Sequence, residues 1–152
     1  MFDKEYKTII YIGSDHAGYL AKKDLRPYLE ENGFDVTDLG CFSEDPCDYP
    51  DIAREVSEKV LETEGSFGIL ICGTGIGMSI SANKLKGIRA ALATDEIMAE
   101  MSRKHNNANV LAMGARIIDI EKMKNISLKF LKTDFEKDQK RHVKRVEKIE
   151  KK

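Results

Sequence analysis

The sequence has no long apolar segment and no excess of charge of either sign. None of its apolar runs approaches the roughly 20 residues that a membrane-spanning helix requires. Residues 1–13 contain acidic side chains and lack the apolar core of a signal peptide. The 25 lysines and arginines nearly cancel the 26 aspartates and glutamates, which leaves a net charge of −1. We therefore expect a soluble, cytoplasmic protein without a nucleic-acid or membrane partner.

Cysteine is also scarce, with residues at positions 41, 47 and 72 only. No two of them form a Cys-x-x-Cys pair, and none lies at zinc-ligand spacing from a histidine, so we expect no metal site. A chain of 152 residues buries enough surface to fold without a disulfide, and the odd number of cysteines favours a reducing compartment. The sequence has no repeat, low-complexity stretch or linker, which predicts one domain over residues 1–152.

Short apolar runs alternate with longer segments of helical period, which is typical of an α/β fold. The predicted parallel strands are 8–12, 34–37, 67–72, 88–93 and 110–113. The predicted helices are 18–32, 51–63, 78–85, 95–104 and 120–132. We expect a kink or restart at Pro27 and a charged helix outside the core over residues 134–152. The predicted architecture is a Rossmann-like three-layer sandwich around a five-stranded parallel sheet.

Ligands of open parallel sheets bind beyond the carboxyl ends of the strands, so the loops that follow strands are the candidate sites. Asp15 and His16 follow the first strand, and Arg116 follows the fifth. The third strand ends in the sequence CGTGIG, which places Cys72 before a glycine loop that can turn its amides toward an anion. Those amides and the following helix N-terminus would favour the thiolate form of Cys72 and stabilise a nearby oxyanion.

Other interpretations of these residues remain open. A glycine-rich turn is common in α/β proteins, and a cysteine that ends a buried strand is often an inert apolar side chain. The loop lacks the lysine of a Walker motif, and Met78 stands where the dinucleotide fingerprint has its third glycine. Asp95 nevertheless lies about 20 residues further on, where such folds carry a ribose-binding acid. A nucleotide-binding module is therefore an alternative.

Two further groups have both a functional and a structural interpretation. His105 closes a predicted helix, where it can be a site residue or only a cap. Arg141 and Arg145 share one face of the predicted tail helix beside His142, so they can clamp a phosphate or form a solvated basic face.

Six segments, in the same order, resemble those of the type B ribose-5-phosphate isomerases and the related galactose-6-phosphate isomerase subunits. They are SDHAG at 14–18, DYPDIA at 48–53, GILICGTGIGMSISANK at 68–84, GIRAAL at 87–92, SRKHNNANVLAMGAR at 102–116 and RHVKR at 141–145. The resemblance implies reversible aldose–ketose isomerisation of ribose 5-phosphate, a step of the non-oxidative pentose phosphate pathway, without metal or organic cofactor. A six-carbon substrate, allose 6-phosphate or galactose 6-phosphate, remains an alternative.

The resemblance also implies residue roles. Cys72 is the base that moves a proton between C2 and C1, because Met78 replaces the glutamate that other members use there. Thr74 hydrogen-bonds the thiol or a substrate oxygen. The loop amides implied to hold the enediolate belong to Gly73, Thr74, Gly75, Ile76 and Gly77.

Ring opening is implied for Asp15 and His105, and contact with sugar hydroxyls for Tyr49 and Asn106. The residues implied to bind the phosphate are His16, Arg116, Arg141 and Arg145. The sequence departs from the family at 139–142, where QKRH replaces the frequent GGRH. Cys41 and Cys47 match no catalytic position.

The predicted element order separates two of these residues. Cys72 ends the third strand, whereas His105 precedes the fifth and should lie at the opposite edge of the sheet. The two would meet in a two-fold dimer in which each site takes His105 and Asn106 from the partner subunit, either alone or together with the tail arginines. The resemblance likewise implies a homodimer or a dimer of dimers.

Overall fold

A computed structural model describes residues 6–151. The first five residues and Lys152, which belong to the predicted domain and its tail, lie outside the described residues. The strands are β1 (Ile9–Ser14), β2 (Asp35–Asp38), β3 (Phe67–Cys72), β4 (Ala90–Leu92) and β5 (Val110–Gly114). The helices are α1 (Tyr19–Glu31), α2 (Tyr49–Glu62), α3 (Ile76–Ala82), α4 (Glu96–Asn106), α5 (Ile120–Leu131) and α6 (Lys140–Glu150).

The five strands form one parallel sheet in the order β2-β1-β3-β5-β4, which confirms the predicted α/β architecture. Helices α1, α4 and α5 cover one face, and helices α2 and α3 cover the other. Strand β3 is buried on both faces: Ile69 and Ile71 belong to the first core, and Leu70 and Cys72 belong to the second. Apolar side chains on both faces explain why its limits could be predicted from a continuous apolar run.

Helices α1 and α3 leave neighbouring strands β1 and β3 and cross opposite faces of the sheet. This divergence opens a crevice at the carboxyl edge, meaning the edge formed by the C-terminal ends of the strands. The opposite edge is called the amino edge below. None of the helices within residues 6–151 is long and apolar enough to cross a membrane.

The structure differs from the sequence prediction at two helices. Of the kink or restart predicted at Pro27, the restart is excluded because helix α1 is continuous through this residue, and Leu25 and Leu29 on either side of the proline are buried in the core. The tail helix begins at Lys140 rather than at position 134, because the Glu136 amide donates to the Lys104 carbonyl of α4 at 3.2 Å.

The predicted helix outside the core also contacts the body of the protein. Helix α6 packs on α4, and His142 on its inner face is only 4% exposed.

Candidate active site

The glycine loop between β3 and α3 holds the Cys72 thiol in a defined position. Cys72 is 5% exposed, and its Sγ accepts a hydrogen bond from the Gly75 amide at 3.1 Å. Gly75 has a positive φ of 82°, and this left-handed turn lets α3 begin at Ile76, earlier than predicted. The loop thus directs a backbone amide at the sulfur.

The loop rests directly on the end of β5. A Cβ at Gly114 would lie 2.5 Å from the Thr74 carbonyl carbon, so only glycine permits this approach. The amides of Ala115 and Arg116 donate to the carbonyls of Cys72 and Gly73 at 2.8 Å and 2.9 Å. Sheet pairing and these two hydrogen bonds therefore fix the loop independently of any ligand.

Two backbone amides of the predicted anion-binding loop already have hydrogen-bond partners within the loop. The Gly75 amide donates to Cys72, and the Ile76 amide donates to the Thr74 hydroxyl at 3.2 Å. The Thr74 side chain is exposed, and its hydroxyl proton is free to donate to another acceptor. The two engaged amides organise the thiol and the threonine, which leaves the remaining amides for an oxyanion.

Two predicted residues border the glycine loop. Tyr49 is the first residue of α2, and its ring lies over Gly77. A Cβ placed on Gly77 would be 2.7 Å from Cε2 of Tyr49. The Arg116 guanidinium lies over Gly73, where a Cβ would be 3.1 Å from its Nη1. An aromatic hydroxyl and a cationic group thus stand beside the Cys72 loop.

Asp15 and His16 follow β1 at the same edge. Asp15 is 7% exposed, and its Oδ1 accepts from the Gly18 amide at 3.1 Å. Its own amide donates to the carbonyl of Ile71 in β3, next to Cys72 in the chain. His16 is partly exposed, and its Nδ1 accepts from the Cys47 amide at 3.3 Å. The carboxyl edge therefore brings together Asp15, His16, Tyr49, Cys72, the glycine loop and Arg116.

The other predicted residues lie at the amino edge of the same chain. Helix α4 follows the carboxyl end of β4 and returns across the sheet, so His105 and Asn106 close it just before β5 begins. Arg141 and Arg145 lie exposed on α6, which packs on α4. A single subunit therefore does not join His105 to Cys72.

At the amino edge His105 stacks on His142, with ring centroids 4.4 Å apart and planes 17° apart. The His105 Nε2 lies 3.9 Å from the Glu136 carboxylate, and the buried His142 Nε2 has no hydrogen-bond partner within residues 6–151. Burial, followed by the proximity of His105 and Arg141, lowers the pKa of His142 below its ordinary value, and Glu136 opposes the shift. The His142 ring thus packs directly against His105.

A groove of about 740 Å³ also opens at the amino edge, away from Cys72. It is lined by residues 83–91 and 149–151 together with Asn106 and Ala108. Asn106 is exposed at this groove, which places it with His105.

The sequence interpretation missed Lys22, a buried cation beside the site. Lys22 is 1% exposed, and its Nζ lies 2.8 Å from Asp38 Oδ1 while also donating to the Cys41 carbonyl. Burial lowers the pKa of this ammonium, and Asp38 opposes the shift. Lys22 shares the buried stripe of α1 with Leu25 and Leu29, and a lysine in such a stripe is a sequence signal for a buried carboxylate partner.

A disulfide was not predicted from the sequence. Cys41 and Cys47 are joined by a disulfide across a Cα–Cα distance of 6.8 Å, and Cys72 is the free cysteine. The odd number therefore reflects one bridge and one thiol. The chain bends at residues 43–45, between the two cysteines, and no motif in the sequence marks this bend.

The chain is similar to known proteins over most of its length. Residues 10–149 match the family model described as Ribose/Galactose Isomerase. Over 140 residues the chain is 43% identical to ribose-5-phosphate isomerase B of Escherichia coli strain K12, an alignment that covers 92% of this chain and 93% of that protein.

Solved structures show the same likeness. Ribose-5-phosphate isomerase B from Clostridium thermocellum is 45% identical, with a TM-score of 0.90 over 94% of this chain and 95% of that one. The type B ribose 5-phosphate isomerase of Trypanosoma brucei is 40% identical, with a TM-score of 0.91 over 95% of this chain and 98% of that one. These similarities confirm the family that the six sequence segments indicated: the chain belongs to the ribose/galactose isomerase family.

Proposed function

We propose that this protein interconverts D-ribose 5-phosphate and D-ribulose 5-phosphate through an enediolate, without a metal or organic cofactor. The observation that carries the proposal is the buried Cys72 thiol at the carboxyl end of β3, whose Sγ accepts a hydrogen bond from the Gly75 amide at 3.1 Å. Family membership and relatives named ribose-5-phosphate isomerase B support the choice of substrate.

Cys72 is the proposed base. The reaction moves one proton between C2 and C1, so a single group must accept the proton and return it. Met78, at the position where other family members place a glutamate, is fully buried and has no basic atom. The developing oxyanion would be held by the loop amides that have no partner within the loop, with Thr74 donating to a substrate oxygen.

Ring opening is assigned to Asp15 and His105, which requires two subunits. Each proposed site combines the carboxyl edge of one protomer with His105 and Asn106 from a two-fold related partner. Tyr49 and Asn106 would contact the sugar hydroxyls from the two sides. A homodimer, alone or as half of a tetramer, satisfies this geometry.

The phosphate is assigned to His16 and Arg116 of one protomer and to Arg141 and Arg145 of its partner. The two α6 arginines lie one turn apart, are exposed, and form no ion pair within residues 6–151. Their guanidinium groups are therefore available for a dianion.

A six-carbon sugar phosphate is the second candidate substrate, since its phosphate differs only in its distance from C1. The nucleotide-binding alternative is disfavoured by Asp95. Its carboxylate caps α4 by accepting from the Met98 amide at 2.8 Å, and β5 separates its strand β4 from β3. This acid is therefore not adjacent to the glycine loop, as a ribose-binding acid would be.

The test is an isomerase assay of purified wild-type protein and its Cys72→Ala variant with ribose 5-phosphate, allose 6-phosphate and galactose 6-phosphate. Removal of a general base should lower kcat by at least about 100-fold. Substrate affinity, measured by calorimetry, should stay nearly constant because the thiol acts in the chemical step. Full turnover by the alanine variant would exclude Cys72 as the base. Preference for a six-carbon substrate, or binding of NAD or ATP without isomerase activity, would favour an alternative.

A further inference from the structure

The segment 41–47, called the disulfide loop, spans the two half-cystines next to the proposed phosphate site. Its central residues 42–46 are exposed, and both cysteines are partly exposed. None of the roles in the proposed reaction uses this bridge. Its two ends, however, contact the residues around His16 in different ways.

The Cys41 end is fixed to the body of the protein. The Cys41 amide donates to the Ser14 carbonyl, and the Ser14 amide donates to the Gly40 carbonyl, both at 2.6 Å. Buried Lys22 donates to the Cys41 carbonyl while paired with Asp38. This end therefore stays in place whether or not the disulfide is intact.

The Cys47 end is attached to His16. The Cys47 amide donates to His16 Nδ1 at 3.3 Å. Because Nδ1 accepts this hydrogen bond, the neutral imidazole carries its proton on Nε2, and Nε2 is the donor that remains for an anion. The covalent link to the fixed Cys41 limits how far the Cys47 amide can move from the imidazole.

We propose that the Cys41–Cys47 disulfide is a thiol-exchange site for a dithiol reductant, and that opening it weakens phosphate binding through His16. The proposal rests on the proposed function, which places the substrate phosphate at His16. A thiolate of the dithiol attacks one sulfur and displaces the other cysteine as a thiolate, forming a mixed disulfide. The second thiol of the dithiol then displaces the first cysteine, so the dithiol is oxidised by two electrons and the protein gains two thiols.

The expected consequence is a change in substrate binding with the chemical step preserved. In the opened loop the Cys47 amide is no longer tied to Cys41, so its hydrogen bond to His16 is made part of the time. We expect KM for ribose 5-phosphate and Kd for inorganic phosphate to rise about three- to tenfold, the range for loss of one hydrogen bond. The value of kcat should be unchanged because Cys72 and its loop are untouched.

The experiment compares purified wild-type protein with and without dithiothreitol, with mass spectrometry of the peptide containing both cysteines to establish its redox state. The matched control is the Cys41→Ser, Cys47→Ser double variant, which should show the weaker binding of the reduced protein and no response to dithiothreitol. A readout independent of turnover is the pair of ¹⁵N chemical shifts of the His16 ring, which should report Nε2–H in the oxidised protein and exchange between tautomers in the reduced protein.

Three outcomes would overturn the proposal: free thiols at both positions after purification in air, equal phosphate affinity in both redox states, or identical His16 spectra. Failure of the proposed function is distinguishable. In that case the oxidised protein would not isomerise any of the three sugar phosphates, whatever the redox dependence of phosphate binding.

Discussion

Subunit exchange between two inactive variants tests the composite site most directly. Cys72 is level with Gly114 at the carboxyl end of β5, whereas His105 lies before Val110 at the other end. Five residues of strand separate those edges, which amounts to about 16 Å at roughly 3.3 Å per residue. A catalytic hydrogen bond spans about 3 Å, so one chain cannot bring both side chains to one sugar.

The Cys72→Ala and His105→Asn variants should each be nearly inactive. When they are unfolded and refolded together in equal amounts, half of the dimers should be mixed. One site of each mixed dimer carries both substitutions, and the other carries neither. Active sites then make up about a quarter of the total, so recovery should approach about a quarter of wild-type activity under two-fold symmetry.

The assay measures ribulose 5-phosphate formation after refolding, with native mass spectrometry to count mixed dimers. Each variant refolded alone is the control for residual activity. If Cys72 and His105 acted within one chain, every site in the mixture would carry one substitution. Background activity in a sample that contains mixed dimers would therefore refute the composite site.

Three further measurements test other parts of the structure. Lys22→Met leaves the Asp38 carboxylate without its buried partner, which should lower the free energy of unfolding by about 3 kcal/mol and Tm by about 6–12 °C. Calorimetry should show that adding Asp38→Asn restores part of the lost stability. The pKa of His142 is lowered in the fold from its ordinary value of 6.5, so the unfolded chain binds more protons and stability should fall as pH drops below about 6.5. Thermal melts between about pH 7.5 and pH 5 should show a larger loss for wild-type protein than for His142→Phe, and equal losses would contradict this assignment. Arg145→Ala should weaken ribose 5-phosphate binding by about 1.5–3 kcal/mol, whereas the neighbouring Lys144→Ala should not; equal kinetics for both variants would remove Arg145 from the phosphate site.

The strands were predictable because a parallel sheet covered on both faces requires continuous apolar runs. Residues 67–72 coincide with β3 for this reason. The boundaries of α3 and α6 could not be predicted, since they depend on the left-handed conformation of Gly75 and on the hydrogen bond between Glu136 and Lys104. A local pattern contains neither the conformation of a single loop residue nor a contact made with another helix.

The candidate site likewise contains some residues whose position could be predicted from the sequence and others whose position could not. Residues that follow strands could be assigned to the carboxyl edge from the element order alone, and so could the separation of His105 from Cys72. The Lys22 and Asp38 pair joins α1 to the end of β2, and the disulfide depends on the bend at residues 43–45. These partners are set by the packed structure, which is why composition and spacing did not reveal them.

Because the glycine loop packs on Gly114, the position of the thiol and the binding of the phosphate can change independently during evolution or engineering. The position of the thiol depends on the register of β3 and β5, in which Cys72 pairs with Gly114. In the proposed site part of the phosphate binding comes from elsewhere, from arginines on α6, a peripheral helix whose surface is mostly exposed. Randomising the outward positions of α6 therefore offers a route to new sugar-phosphate selectivity that leaves the proton-transfer machinery intact.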